Sequence, residues 1–170
     1  TAADGMKRVY DSLPQDSPQR EVLRDWLTMN SSYFVDDLRA AVPAIKDNDG
    51  TVANDDQFHA LSIHDWATAK PLAEKMYNDK TQPASRILAL WALYRQAVKE
   101  NALGDIDRYR DELKAIVENR SENYKYRDLA LDALLVEKDF AGRTDWYVGL
   151  MSDPTMLEMG THTGLTTMVL

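Results

Sequence analysis

The sequence contains no cysteine. Disulfides, thiolate zinc centres and cysteine nucleophiles are thereby excluded, while the compartment stays open. Histidine occurs only three times. His59 and His64 are five residues apart, which turns them about 140° away from each other on a helix and suits no shared metal. No apolar run approaches the ~18 residues of a membrane span, so none is expected. Strand-like alternation is missing and β-branched residues are sparse, which argues against sheets. Phosphate-binding glycine loops, G-x-S-x-G and H-E-x-x-H are absent too, and with them the best-known local signatures of catalysis.

What is present is the mix of an ordinary globular chain: 170 residues, 44% hydrophobic and 28% charged. That length is enough to bury a core. The net charge is −8, and residues 31 to 65 hold seven acids against two bases. An acidic chain repels phosphate backbones at long range, so nucleic acid is not the expected partner.

Ala, Leu, Met, Glu, Lys and Arg fill the periodic segments, and the expected fold is all-α. Helices are expected near 3–12, 18–30, 32–46, 55–62, 65–79, 84–101, 105–119, 125–138, 143–151 and 156–170. Turn chemistry separates them. "LPQDSP" divides the first pair, "KDNDGTVANDD" forms an acidic irregular connection at about 46–56, and "SDPT" offers Asp153 as an N-cap ahead of Pro154. The apolar close "LTTMVL" reads as the middle of a helix, so a longer native chain is expected.

Two decamers stand out: "SRILALWALY" at 85–94 and "YRDLALDALL" at 126–135. An offset of 41 lays Arg86 on Arg127, Leu88 on Leu129, Ala89 on Ala130, Leu90 on Leu131, Ala92 on Ala133 and Leu93 on Leu134. The preceding segments also match, Leu72 with Leu113 and Asn78 with Asn119. A period near 41 fits the ~40–47 residues of two-helix solenoid repeats. The second helix of each pair places Leu129, Ala130, Ala133 and Leu134 on one face, with small alanines for close approach and leucines to fill the gaps. Trp91 and Asp132 share a repeat position, which therefore lies at the edge of the core or on a surface. Leu131 and Leu134 are expected inside.

"PLAEKMYNDKTQPASRILALWAL" resembles a HEAT repeat of the armadillo type, with Pro71-Leu72 in a first helix, Asp79 in the turn, and Arg86, Ala89 and Ala92-Leu93 in a second. "DELKAIVENRSENYKYRDLALDALL" keeps Leu113, Arg127, Ala130 and Ala133-Leu134, but has Asn119 followed by Arg120 where the first copy has its turn acid. A third, weaker copy begins at Asp145, and residues 6 to 27 share the layout. The resemblance implies a right-handed α-solenoid of stacked helix pairs over residues 65–170. Residues 1–64 would form an N-terminal helical region continuous with it. It also implies that Asp79, Arg86 and Arg127 form a structural ladder between neighbouring repeats.

Candidate sites follow from local pattern. Residues 45–56 resemble an EF-hand loop, with Asp47, Asp49 and Asp56 as weak calcium ligands. Ile45 removes the first carboxylate and Ala53 supplies no side-chain ligand at the ninth position, so a solvated Asp-Gly turn is the expectation. "RYR" at 108–110 and "NYKYR" at 123–127 interleave aromatics with bases, a pattern that can grip a single-stranded nucleic acid. The competing reading packs Tyr109 and Tyr126 at repeat edges. Trp91, Tyr109, Tyr124 and Tyr126 are the candidate interaction surface. The leading functional expectation is a non-catalytic scaffold for a protein or peptide partner, with no catalytic residue and no cofactor. The alternatives are a helical accessory or catalytic domain using the acidic 31–65 region, and a nucleic-acid module using 108–127. Fold alone does not choose among them.

Overall fold

The computed structural model describes residues 1–46, 52–137 and 140–154. All the regular structure among them is helical. The chain divides into two compact units, Thr1–Met76 and Tyr77–Leu170.

The first unit holds α1 (Ala2–Ser12), α2 (Pro18–Asn30), α3 (Val35–Ala40), α4 (Val42–Lys46), α5 (Val52–His64) and most of α6 (Trp66–Asn78). Thr1 and Asp4 close a capping box at the start of α1, each satisfying the other's backbone donor. Pro18 starts α2 at a position where a missing N–H costs nothing. Arg20 then reaches back: its Nη1 donates to Tyr10 O (2.7 Å) and Leu13 O (2.9 Å), the carbonyls that end α1. Its guanidinium also lies 4.0 Å from the Tyr10 ring centroid. Tyr10, Leu27, Leu38, Ile45, Phe58 and Leu61 are buried and form the core of this unit.

The helix expected over 32–46 is two helices. The break falls at Ala41, just before Val42-Pro43. Proline at 43 has no N–H to give to the turn before it and disfavours helical geometry at Val42, so the ladder restarts as a separate short helix. The irregular connection is also shorter than expected, because α5 is helical from Val52.

The second unit contains α7 (Pro83–Glu100), α8 (Leu103–Glu118), α9 (Tyr124–Ala133), a 3-10 turn (Leu134–Val136) and α10 (Arg143–Leu150). Helices α7, α8 and α9 pack against one another. Helix α7 ends on Asn101 in the left-handed region (φ 55°), and Ala102 N donates to Ala97 O at 2.9 Å. Asparagine tolerates that conformation better than most residues with a side chain, so it does here what glycine more often does.

Leu90, Leu131, Leu134 and Leu113 are fully buried, with Ala89, Ala92, Ala130 and Ala133 between them. Leu88 and Leu129, expected to fill the gaps, are only half-buried. The buried residues of α9 are Arg127, Ala130, Leu131 and Ala133, and Leu134 follows in the 3-10 turn. Ala130, Leu131, Ala133 and Leu134 lie inside as expected, while Leu129 does not and Arg127 does. The regular α-helix also stops at Ala133 rather than 138, and the chain tightens into the 3-10 turn that carries Leu134. The helix expected over 156–170 lies outside the described residues.

Candidate functional site

Two arginines repeat one arrangement. Arg86, on α7, donates from Nε to Tyr77 O (3.1 Å) and from Nη2 to Glu112. Arg127, on α9, donates from Nε to Val117 O (2.7 Å) and from Nη2 to Asp153 Oδ2 (3.0 Å). In each case the guanidinium ties down the carbonyl end of the preceding helix and reaches an acid further along. Arg127 and Asp153 lie 41 residues after Arg86 and Glu112, so the whole arrangement recurs at the sequence period. In the first unit Arg39 donates from Nε to Asp65 Oδ2 at 2.7 Å. The arginine-to-acid separation is 26 residues in all three pairs.

The environments of these pairs differ. Arg127 is 1% exposed and Asp153 6%. Arg120 adds a second cation to Asp153 at 3.2 Å from the solvent side. A guanidinium with so little access to water is tolerated because its charge and donors are met in a fixed fork. Arg86 and Glu112 are partly open, and Tyr77 Oη donates to the same carboxylate at 2.6 Å. Burial, then the hydrogen bond and charge of Glu112, push the Tyr77 hydroxyl up to about 12, so it stays a donor. Asp65 accepts from Thr68 N and Oγ1 at the start of α6 and from Arg39, and these contacts hold its carboxyl below the usual range.

Asp79, expected as the ladder acid, accepts from Thr81 N (2.8 Å) and Thr81 Oγ1 (2.7 Å), closing the turn ahead of α7. The acids seen on Arg86 and Arg127 are Glu112 and Asp153; the sequence pointed to Asp153 only as a helix cap and did not point to Glu112. They were findable: they match at the same offset of 41. A glutamate opposite an aspartate hid the match.

The basic-aromatic stretch is largely neutralised within the fold. Arg108 pairs with Asp105, and Arg110 with Asp107 and Glu137. Arg120 and Arg127 share Asp153. Tyr109 was expected on the interaction surface, but it is 8% exposed. Its ring meets Tyr77 edge-on, with centroids 5.9 Å apart, under the Arg108 guanidinium. Apolar area outweighed its hydroxyl. Tyr124 is exposed at the first position of α9, Tyr126 is half-buried and Trp91 is half-buried on α7.

Trp91 and Asp132 share more than a repeat position, since both sit at the edge of the core. Burial, and then the charge of Asp128 one turn away, raise the Asp132 carboxyl to about 6. Around them, Leu88 and Leu129 are half-buried and Leu135 is 42% exposed. Leu88 and Trp91 on α7, Leu129 on α9 and Leu135 in the 3-10 turn thus leave apolar surface partly open to water, with Asp128 and Asp132 beside it.

Of the calcium candidates, Asp47 and Asp49 lie outside the described residues. Asp56 stands inside helix α5, and Ile45, at the first loop position, is buried in the core. Among the described residues no three His, Asp or Glu side chains converge to hold a metal ion. No described helix is long and apolar enough to cross a membrane.

Comparison with protein-family models, with curated proteins and with solved structures gives no match to this chain.

Proposed function

We propose that this chain is a non-catalytic helical-repeat scaffold, HEAT-like in construction, that presents the outer stripe of α7 and α9 to a protein or peptide partner. The observation that carries the reading is the recurring arginine arrangement: Arg86 and Arg127 each bind the end of one helix and an acid 26 residues on. A fixed fork repeated at the sequence period sets neighbouring helix pairs in register, as stacked repeats require. Leu88, Trp91, Leu129 and Leu135, each at least partly exposed, supply the apolar contact area that an interface centre uses. A nucleic-acid role through 108–127 has less support, because its arginines already have carboxylate partners.

Photo-crosslinking tests the reading. A crosslinking phenylalanine analogue replaces Leu88, Leu129 or Leu135, with Lys99 and Asp111 as exposed control positions. One discrete adduct from the stripe positions, absent from the controls, is expected. Leu135→Glu should then weaken the purified partner more than tenfold while leaving the melting temperature unchanged. Equal labelling from stripe and control positions would refute the proposal.

A further inference from the structure

A groove of about 570 Å³ opens between α2, α3 and α5 in the first unit. That volume lies within the ~300–1,000 Å³ of ligand-holding clefts. Its floor is apolar. Leu38 is buried, and Met29 and Phe34 are half-buried. The i, i+4 spacings of Asp25 with Met29 and of Phe34 with Leu38 bring these side chains to one side of their segments.

Three carboxylates line the groove: Asp25, Asp37 and Asp56. Asp37 is already matched, since Arg24 Nη2 donates to its Oδ2 at 2.9 Å. The same guanidinium lies 5.4 Å from the centroid of Phe34. One side of the groove thus shows a complete recognition unit, with a basic head on a carboxylate and over an aromatic face. Asp25 and Asp56 have no such cation among the described residues. Asp25 and Asp56 line the same groove, and burial, then the charges of Asp55 and Asp25, raise the proton affinity of Asp56. Two like charges beside an apolar floor are costly until a cation arrives. The complementary occupant carries positive charge and apolar surface together.

We propose that this groove binds a peptide segment with a basic side chain next to an apolar one. The basic head sits between Asp25 and Asp56, and the apolar side chain lies on Met29, Phe34 and Leu38. Guanidinium chemistry is favoured, because Arg24 already makes that contact with Asp37 and Phe34 in the same groove. The inference rests on the scaffold reading for the existence of a partner and adds the chemistry of a second contact.

The test uses the full chain labelled with 15N and titrated with acetyl-Leu-Arg-Leu-amide, followed by amide chemical shifts. Two further probes are the same peptide with citrulline for arginine, and hexylammonium. Shifts should concentrate at residues 25, 28, 38, 56 and 57, and citrulline should weaken binding by about fivefold, the scale of one partly exposed charge contact. Asp25→Asn and Asp56→Asn should each do the same. Both side chains are exposed, so the melting temperature should hold. Equal binding of the citrulline peptide, shifts centred elsewhere, or indifference to both substitutions would overturn the proposal. Hexylammonium binding as tightly as the peptide would make this a small-amine site and overturn it as well. Crosslinks from α7 and α9 that persist while the groove fails would sink this inference and leave the scaffold reading standing.

Discussion

Replacing Arg127 by methionine keeps most of the side-chain volume and removes the whole fork. Val117 O then loses a 2.7 Å donor and Asp153 a 3.0 Å one. Asp153 would keep Arg120, whose side chain is 73% exposed. A nearly dry carboxylate that has lost its buried cation is the expensive outcome. Removing one member of a buried pair costs about 3–5 kcal/mol. Arg86→Met is the internal control. Arg86 and Glu112 are 22% and 25% exposed, and Tyr77 still donates to Glu112 after the change. Water and the tyrosine hydroxyl replace what is lost, so about 1–2 kcal/mol is expected.

Urea unfolding followed by far-UV circular dichroism reads both variants, with an unchanged slope as the condition for comparing them. Asp153→Asn completes a double-mutant cycle, for which contacting charges give a coupling of about 0.5–3 kcal/mol. Arg127→Met at or below the cost of Arg86→Met, or a coupling near zero, would refute the claim that this pair holds the end of α8 to the chain after α10.

Two further outcomes are expected. Leu134→Ala should cost about 2–5 kcal/mol, because Leu134 is fully buried in the 3-10 turn; Leu129→Ala should cost clearly less, and denaturant melts that rank them the other way would place the α9 core face wrongly. Millimolar calcium should leave the melting temperature unchanged, since Ile45 is buried and Asp56 is helical; a rise abolished by Asp49→Ala would establish a calcium site, because a ligand bound only to the folded state stabilises it by mass action.

Helix type and most of the core were legible in the sequence because both follow from local periodicity. Leu90, Leu93, Leu131 and Leu134 are buried as expected. Legibility failed where one residue's place depends on partners far along the chain. Arg127 was expected as a ladder residue, but its partners were not readable: Val117 O and Asp153, 10 and 26 residues away, meet its donors and let it be buried. Beside that inward arginine, Leu129 is only half-buried. Asp79 was readable as a turn acid, and it accepts from Thr81 N and Oγ1 in the turn ahead of α7. Pro43 was readable and was passed over, since the apolar periodicity of 32–46 runs through it. The groove between α2, α3 and α5 was not readable at all. It needs Asp25, Phe34 and Asp56 brought together from three elements, none of which carries a motif.

Asp132 lies at the edge of the core, as its repeat position suggested. Its carboxyl stands at about 6, raised from 3.8 first by burial and then by Asp128. A raised carboxyl pKa means that the folded state holds the proton more tightly than the unfolded chain. The group therefore imposes no penalty below about pH 4, and costs stability progressively as pH rises through about 6. A rise to about 6 would amount to about 3 kcal/mol for a fully buried group, but Asp132 is only half-buried, so about 1 kcal/mol is the reasonable size after screening. Asp132→Asn keeps the shape and removes the charge. The variant should match the parent near pH 4 and exceed it by about 1 kcal/mol at pH 7, with the change falling between pH 4 and 6. Taking the difference between the two proteins cancels the titration of the other carboxylates. Urea melts across that range decide it: a difference that is flat with pH, or a variant less stable at pH 7, would mean that the Asp132 carboxylate is fully solvated in the folded protein.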